Sequence, residues 1–459
     1  MTVSTATAAE TREPSNLFYQ TRSRRPLVAR AEGIYFWDRG GKRYIDGSSG
    51  AMVANIGHSN PRVLAAMRRQ MDEATFAYRL HFENEAAETL ARRIAKRMPA
   101  QLDRVFFVSG GSEAVESCLK LARQYAIAAG QGSRYKIISR YPSYHGATLG
   151  ALALTGYAPM TAPFAPMMRE MPKIPAPTCY LDHDDLDWNA RGLRYAELLR
   201  DEIRRQGPET VLAFIMEPVG GASTGALVAP DSYYARIREI CDEYGILLIL
   251  DEVMSGVGRT GRFLAAEHWD LRPDIVAMSK GFAAGYAPLG AMVADRRLVE
   301  PVLDKGGFIH GYTYAGNPLA CAAGLAVLDE IETDDLMGNA ARMGALLKLR
   351  LAELMERFPF IGDVRGLGLL LAFELVADRD SMQPLPKELN AYNRLVDIAY
   401  DKGLIIYSRR TRGGLDGDHF LVCPPMIVTE AQIGEIMALL TDSLTAFATE
   451  AGLPQSGGA

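Results

Sequence analysis

The chain has 459 residues, 48% of them hydrophobic, with 43 glycines and a formal net charge of −5 from 50 Lys and Arg against 55 Asp and Glu. That length and apolar content suffice for one large and one smaller folded unit, and the mild acidity gives no electrostatic case for nucleic acid or an anionic membrane as partner, which leaves small metabolites. Five scattered cysteines (Cys118, Cys179, Cys241, Cys321, Cys423) without a CxxC pair, a polar N-terminal stretch without a signal-peptide core, and no apolar run of membrane-spanning length make a cytoplasmic chain the expectation.

Residues 1–15 are polar and aperiodic and are expected to be disordered. Residues 27–47 read as two strands around the turn Asp38-Arg39-Gly40-Gly41, and 48–58 as a close-packed Gly/Ala loop. Asn60-Pro61 opens a helix to about Met71. An amphipathic helix follows over 83–98, with Leu90, Ile94 and Met98 on one face and Pro99 ending it. The apolar run 104–109 then meets Gly110-Gly111-Ser112 and a helix whose stripe is Val115, Leu119, Ala122 and Ala126. A strand, a glycine turn and a helix in succession aim free N–H groups and the positive helix end at an anion. A phosphate cradle and a plain turn capped by Ser112 both fit this stretch.

Residues 135–139 form the next strand, and the loop after it carries Tyr144 and His145, which either face a flat cofactor or pack locally. The Pro- and Met-rich span 159–187 has no period and reads as an excursion bordering a pocket. Helices are expected over 195–206 and 233–244. Buried strands are expected over 211–217, ending in Glu217, and 246–250, ending in Asp251. The run 274–278 ends abruptly in Ser279-Lys280-Gly281. Lys280 is therefore either a solvated loop lysine or an amine at the carboxyl edge of a parallel sheet, where partly dry surroundings favour imine chemistry. Asp251 is a cap, a partner for a buried base, or a functional carboxylate. Alternating strands and helices imply a doubly wound parallel sheet, which delivers Glu217, Asp251 and Lys280 to one edge beside the phosphate-type turn. Those features together suggest pyridoxal phosphate.

Toward the C-terminus, helices are expected over 317–332, on to Arg357, and over 389–402. Arg365-Gly366-Leu367-Gly368 precedes a strand over 369–373. Strands over 403–407 and 419–422 flank the loop SRRTRGGLDGD, whose Arg409, Arg410 and Arg412 fit an anion site or a solvated basic loop equally. Thr429 caps a last helix over 430–448, and residues 450–459 are expected to be disordered.

The stretches SGGSEAVE, SYHG, MEPVGG, DEVMSGVGRTG, SKGFAAGYAPLGA and TYAGNPLACAAG resemble those of class III aminotransferases, the pyridoxal-phosphate family that includes the ω-aminotransferases, over about residues 27–440. The resemblance implies an α/β fold of fold-type I. Its large domain, residues 73–314, has a doubly wound, mostly parallel sheet; its small α+β domain is built from both chain ends, residues 1–72 and 315–459. It also implies a homodimer or dimer of dimers with shared active sites, and pyridoxal 5′-phosphate as cofactor. By position, Lys280 matches the imine lysine that also shuttles the proton, and Asp251 the carboxylate at the pyridine nitrogen. Val253 and Tyr144 match the residues on the two ring faces, Gly111 and Ser112 the phosphate turn, and Thr313 a phosphate ligand from the neighbouring subunit. Glu217 and His145 fall on cofactor motifs. Met52 and Phe82 resemble walls of the substrate pocket. The arginine loop is longer than is common, and Arg412 is the expected carboxylate partner because Gly413-Gly414 after it allow the largest swing. Glu113, beside the phosphate turn, must point away. The implied reaction carries an amino group from a primary amine or ω-amino acid to a keto acid such as pyruvate. The alternatives are an aminomutase or an α-amino-acid-type aminotransferase using 2-oxoglutarate.

Overall fold

The computed structural model describes residues 15–456. The expectations for residues 1–14 and 457–459 lie outside the described residues. Near the N-terminus three antiparallel strands form where two were expected: Val28–Glu32 (β1), Tyr35–Asp38 (β2) and Arg43–Asp46 (β3). Gly33, at φ +58, makes the additional turn, because a glycine adopts that backbone without a steric penalty.

The central sheet takes seven strands: Leu102–Val108 (β4), Lys136–Tyr141 (β5), Lys173–Pro175 (β6), Val211–Met216 (β7), Leu247–Asp251 (β8), Ile275–Met278 (β9) and Gly290–Asp295 (β10), in the order β4-β10-β9-β8-β7-β5-β6. All its pairings are parallel except those of β10, which runs antiparallel to both β4 and β9. β7, β8 and β9 are continuous apolar runs because helices cover both faces. Successive side chains alternate between two cores: Leu248, Leu250, Val276 and Met278 pack on one side, and Leu247, Ile249, Ile275 and Ala277 on the other with the helix Gly111–Ala128. By that alternation Asp251 shares the face of Ile249. No expectation covered β10, whose six buried residues follow a Gly/Ala loop that hides the strand signal.

The rest of the chain adds Ile361–Leu367 (β11), Leu370–Asp378 (β12), Gln383–Pro384 (β13), Leu404–Ile405 (β14), Tyr407–Arg410 (β15) and Asp418–Val422 (β16). One sheet runs β11-β12-β16-β15, with β13 beside β12; another runs β1-β2-β3-β14, and its parallel β3/β14 pair joins the two ends of the chain. Thus the α/β expectation, a large mostly parallel sheet with a smaller part drawn from both ends, describes the molecule.

Several local expectations are corrected. The strand over 403–407 is two strands in different sheets, and Ser408 to Arg410 belong to β15 rather than to a flexible loop, since the ladder with β16 takes up their backbone groups. Arg365 to Leu367, expected only to precede a strand, themselves lie in β11. The excursion 159–187 contains β6 and short helical turns. The last helix runs to Ala451, and beyond it Ser456 N donates to Arg357 O at 2.9 Å, so the described part of residues 450–459 is tied to the fold.

Candidate active site

Lys280 follows β9 by two residues and opens a single helical turn, Lys280–Phe282. Its φ is +50, which a side chain tolerates only where tertiary contacts impose it. One such contact is visible at the next residue. A Cβ on Gly281 would sit 2.2 Å from Asn55 Nδ2, so the chain is pressed against Asn55 there. Burial pulls the Lys280 amine down to about 8, against the opposing charges of Asp251 and Glu217, and the buried Arg259 cation adds to the depression.

The amine borders a cavity of about 150 Å³, which Gly111, Ser112, Tyr144, His145, Glu217, Asp251 and Val253 also line. Asp251 Oδ2 lies 2.9 Å from His145 Nδ1, and Asp251 Oδ1 accepts from Val253 N at 3.1 Å. His145 Nε2 is buried without a hydrogen-bond partner. Glu217 accepts from Gly221 N at 2.9 Å and from Tyr144 N at 3.3 Å, and burial raises its pKa while His145 opposes this. At the other end, Gly110 precedes the 18-residue helix without a side-chain cap, which leaves its first N–H groups to the cavity. A Cβ at Gly111 would lie 2.8 Å from Val253 Cγ1, so a glycine is required for this close approach. Glu113 does not line the cavity; its carboxylate turns back to accept from Ser109 N at 2.8 Å.

An adjoining cavity of about 200 Å³ shares Lys280, Tyr144, Ala222 and Met254 with the first, and is also lined by Met52, Tyr157, Met160, Ser223, Tyr407 and Arg409. Met52 is therefore at a pocket wall, as expected. Arg412 is not, and that expectation is corrected: its Nη2 donates to Met382 O at 2.6 Å, away from the cavity, while Arg409 takes the wall position. The period of the strand explains the exchange. Tyr407 and Arg409 are two apart in β15 and share a face, and the ladder sets that face toward the cavity. Phe82, 69% exposed after a turn, borders neither cavity of its own chain. Thr313 is exposed and borders neither cavity of its own chain. Among the lining residues that sequence reasoning missed are Tyr157, Met160, Ala222, Ser223, Met254 and Tyr407. The two-residue spacing of Tyr407 and Arg409 was a usable signal; nothing local marked Ser223 or Tyr157.

The wall around Ser223 is held by two buried groups. Arg409 pairs with His419 across the β15/β16 ladder. His419 Nε2 lies 2.9 Å from Ala222 O, and since a carbonyl only accepts, Nε2 carries the hydrogen and Nδ1 accepts from Thr411 Oγ1 at 3.0 Å. Burial pulls His419 down to about 3, so it stays neutral. Arg365 donates to Thr224 O at 3.0 Å while ion-pairing Glu374 at 2.8 Å and Asp363 at 2.7 Å.

The family model for class-III aminotransferases matches residues 19–444. The chain is a class III aminotransferase. It is 38% identical to the uncharacterized aminotransferase YodT of Bacillus subtilis, with 92% of this chain and 95% of that one aligned. It is 33% identical to the putrescine–pyruvate aminotransferase of Pseudomonas aeruginosa, over 90% of this chain and 89% of the relative. Among solved structures, a thermostable (S)-enantioselective omega-transaminase from Thermomicrobium roseum superposes with a TM-score of 0.88 at 36% identity, covering 94% of this chain and 96% of the other. The aminotransferase thus has the fold-type I architecture, and its family works with pyridoxal 5′-phosphate. Among the described residues no helix is long and apolar enough to cross a membrane, and no cluster of His, Cys, Asp and Glu is arranged to hold a metal ion.

Proposed function

We propose that this aminotransferase moves an amino group from a primary amine or ω-amino acid to a keto acid such as pyruvate, with Lys280 and Asp251 as its catalytic residues. The observation that carries this reading is that one half-buried lysine borders both cavities, one ending in an uncapped helix and the other in an arginine. The donor set of the first cavity suits pyridoxal phosphate. The free N–H groups at Gly111 and Ser112 suit its phosphate, and Val253 and Tyr144 its ring faces. Asp251, oriented by His145 and Val253 N, suits the pyridine nitrogen.

Bound pyridoxal phosphate supplies a carbonyl carbon that carries the amino group and a ring that accepts electron density from the reacting carbon. Lys280 Nζ takes the proton from the amine-bearing carbon of the donor and returns one to the acceptor; an amine pulled to about 8 keeps a usable neutral fraction near neutral pH. Asp251 holds a proton on the pyridine nitrogen. Arg409 receives the carboxylate of the keto acid, and Met52, Met160 and Tyr157 offer apolar wall to a donor without one. The Pseudomonas relative, named for pyruvate, supports the choice of acceptor.

A second copy of the chain completes the unit in this reading. Phe76, Leu80, Phe82, Ile309 and Tyr314 are exposed large hydrophobics, and Phe76 packs at 6.0 Å from Tyr314 while Arg79 donates to the carbonyls of His310 and Gly311, so the two segments form one patch around Thr313. The division of the chain near residues 72 and 314 belongs to the same proposal.

The deciding experiment incubates the cofactor-loaded protein with a primary amine and pyruvate. Alanine should form only when both are present, and Lys280→Ala should form none while keeping its circular dichroism. Isomerisation of an amino acid without an acceptor would mean an aminomutase, and preference for 2-oxoglutarate would overturn the choice of pyruvate.

A further inference from the structure

Ser223 is only 3% exposed, yet its Oγ has no hydrogen-bond partner. A buried hydroxyl in that state is costly, and most such groups are satisfied. The residue lies on the wall of the second cavity, and the peptides on both its sides are pinned: Ala222 O by His419 and Thr224 O by Arg365. Those pins hold the backbone of this cavity-lining residue. Arg409, on the same cavity, also lacks its natural complement. Among the described residues no carboxylate pairs with it; its guanidinium rests over the Tyr407 ring at 4.8 Å and reaches Ser408 O at 3.4 Å. One ladder joins the two, since Arg409 faces the His419 that holds Ala222.

We infer that Ser223 is the second arm of an acid-binding subsite, its hydroxyl donating to the substrate carboxylate that Arg409 grips. This rests on the proposed reading in which Arg409 receives that carboxylate. A carboxylate offers about four lone-pair positions, and a guanidinium fork occupies two of them, so a hydroxyl at the side has an acceptor to reach. The subsite selects acids without excluding amines. A carboxylate gains the Ser223 bond on entry, whereas a carboxylate-free amine leaves the hydroxyl as it is in the free protein and incurs no new loss. Substrates that carry the carboxylate at the reacting carbon, or one chain length away in an ω-amino acid, are the class so recognised.

The test uses propionate, a carboxylate that cannot react, titrated into cofactor-loaded wild type, Ser223→Ala and Arg409→Ala by calorimetry. Ser223→Ala should weaken propionate about tenfold and raise KM for pyruvate by a similar factor, as expected for one lost hydrogen bond to a charged group. Its half-reaction with a carboxylate-free amine should stay unchanged, and its thermal midpoint should not fall. Unchanged propionate binding in Ser223→Ala, with binding lost in Arg409→Ala, would overturn the role of Ser223 and leave the Arg409 reading standing. Unchanged binding in both variants would remove the Arg409 reading as well. Equal losses for acid and amine with a lowered midpoint would make Ser223 a structural residue and sink the inference.

Discussion

His145 and Asp251 stand 2.9 Å apart, Nδ1 to Oδ2, with both side chains buried at the carboxyl edge of the central sheet. Each comes from a different connection: Asp251 closes β8, and His145 sits in the loop after β5. The contact orients the carboxylate, Val253 N takes its other oxygen, and the remaining lone pairs are available to the cavity.

From this pair follows the first expectation. Asp251→Asn replaces an acceptor-only carboxylate by an amide that cannot hold a positive ring nitrogen. It should lower kcat/KM by at least about a hundredfold, roughly 2.7 kcal/mol, with the fold intact. His145→Ala, which removes only the orientation, should cost less. Single-turnover kinetics on the two variants decide it; a loss under about tenfold for Asp251→Asn would deny the residue this role.

Arg409 and Arg412 separate cleanly. Arg409→Ala should raise KM for pyruvate by about tenfold or more and leave a carboxylate-free amine nearly unaffected. Arg412→Ala should leave KM unchanged while costing about 1 kcal/mol of stability, because it frees Met382 O. The reverse ranking in steady-state assays would return the carboxylate site to Arg412.

His419 makes the fold acid-sensitive. Its ordinary value of 6.5 falls to about 3 in the folded chain, with burial as the main cause. Between those values the unfolded state holds a proton that the folded state does not, so stability falls as pH drops from 6.5 toward 3. His419→Gln keeps a donor for Ala222 O without the titration. Its thermal midpoint should therefore lose less over that window than the wild-type midpoint, and parallel curves would refute the assignment.

Assembly can be tested by complementation. Lys280→Ala and a Thr313→Ala variant, each inactive or nearly so, should regain some activity when mixed if a site takes Lys280 from one chain and Thr313 from the other. A fully active monomer in sedimentation would end the idea of a shared site.

The residues themselves brought Glu217, Asp251 and Lys280 to one sheet edge beside Gly111 and Ser112, the family resemblance added Tyr144, His145 and Val253, and all eight line one cavity. Local physics suffices for the first five. A buried parallel strand is a continuous apolar run, a charged residue that follows it lies past its end, and right-handed crossovers bring successive ends to one edge. Glycine beside the helix start is equally local, because it answers to backbone approach. Arg409, Ser223 and Tyr157 escaped for the opposite reason. Whether Arg409 faces the cavity depends on the β15/β16 register, since a shift of one residue would present Ser408 or Arg410 instead. Ser223 is placed by His419 and Arg365, almost 200 and about 140 residues away in the chain. Such positions are set by pairing between distant segments, and no window of neighbouring residues carries that information. The antiparallel β10 belongs with them: only the assembled sheet decided that it would be buried.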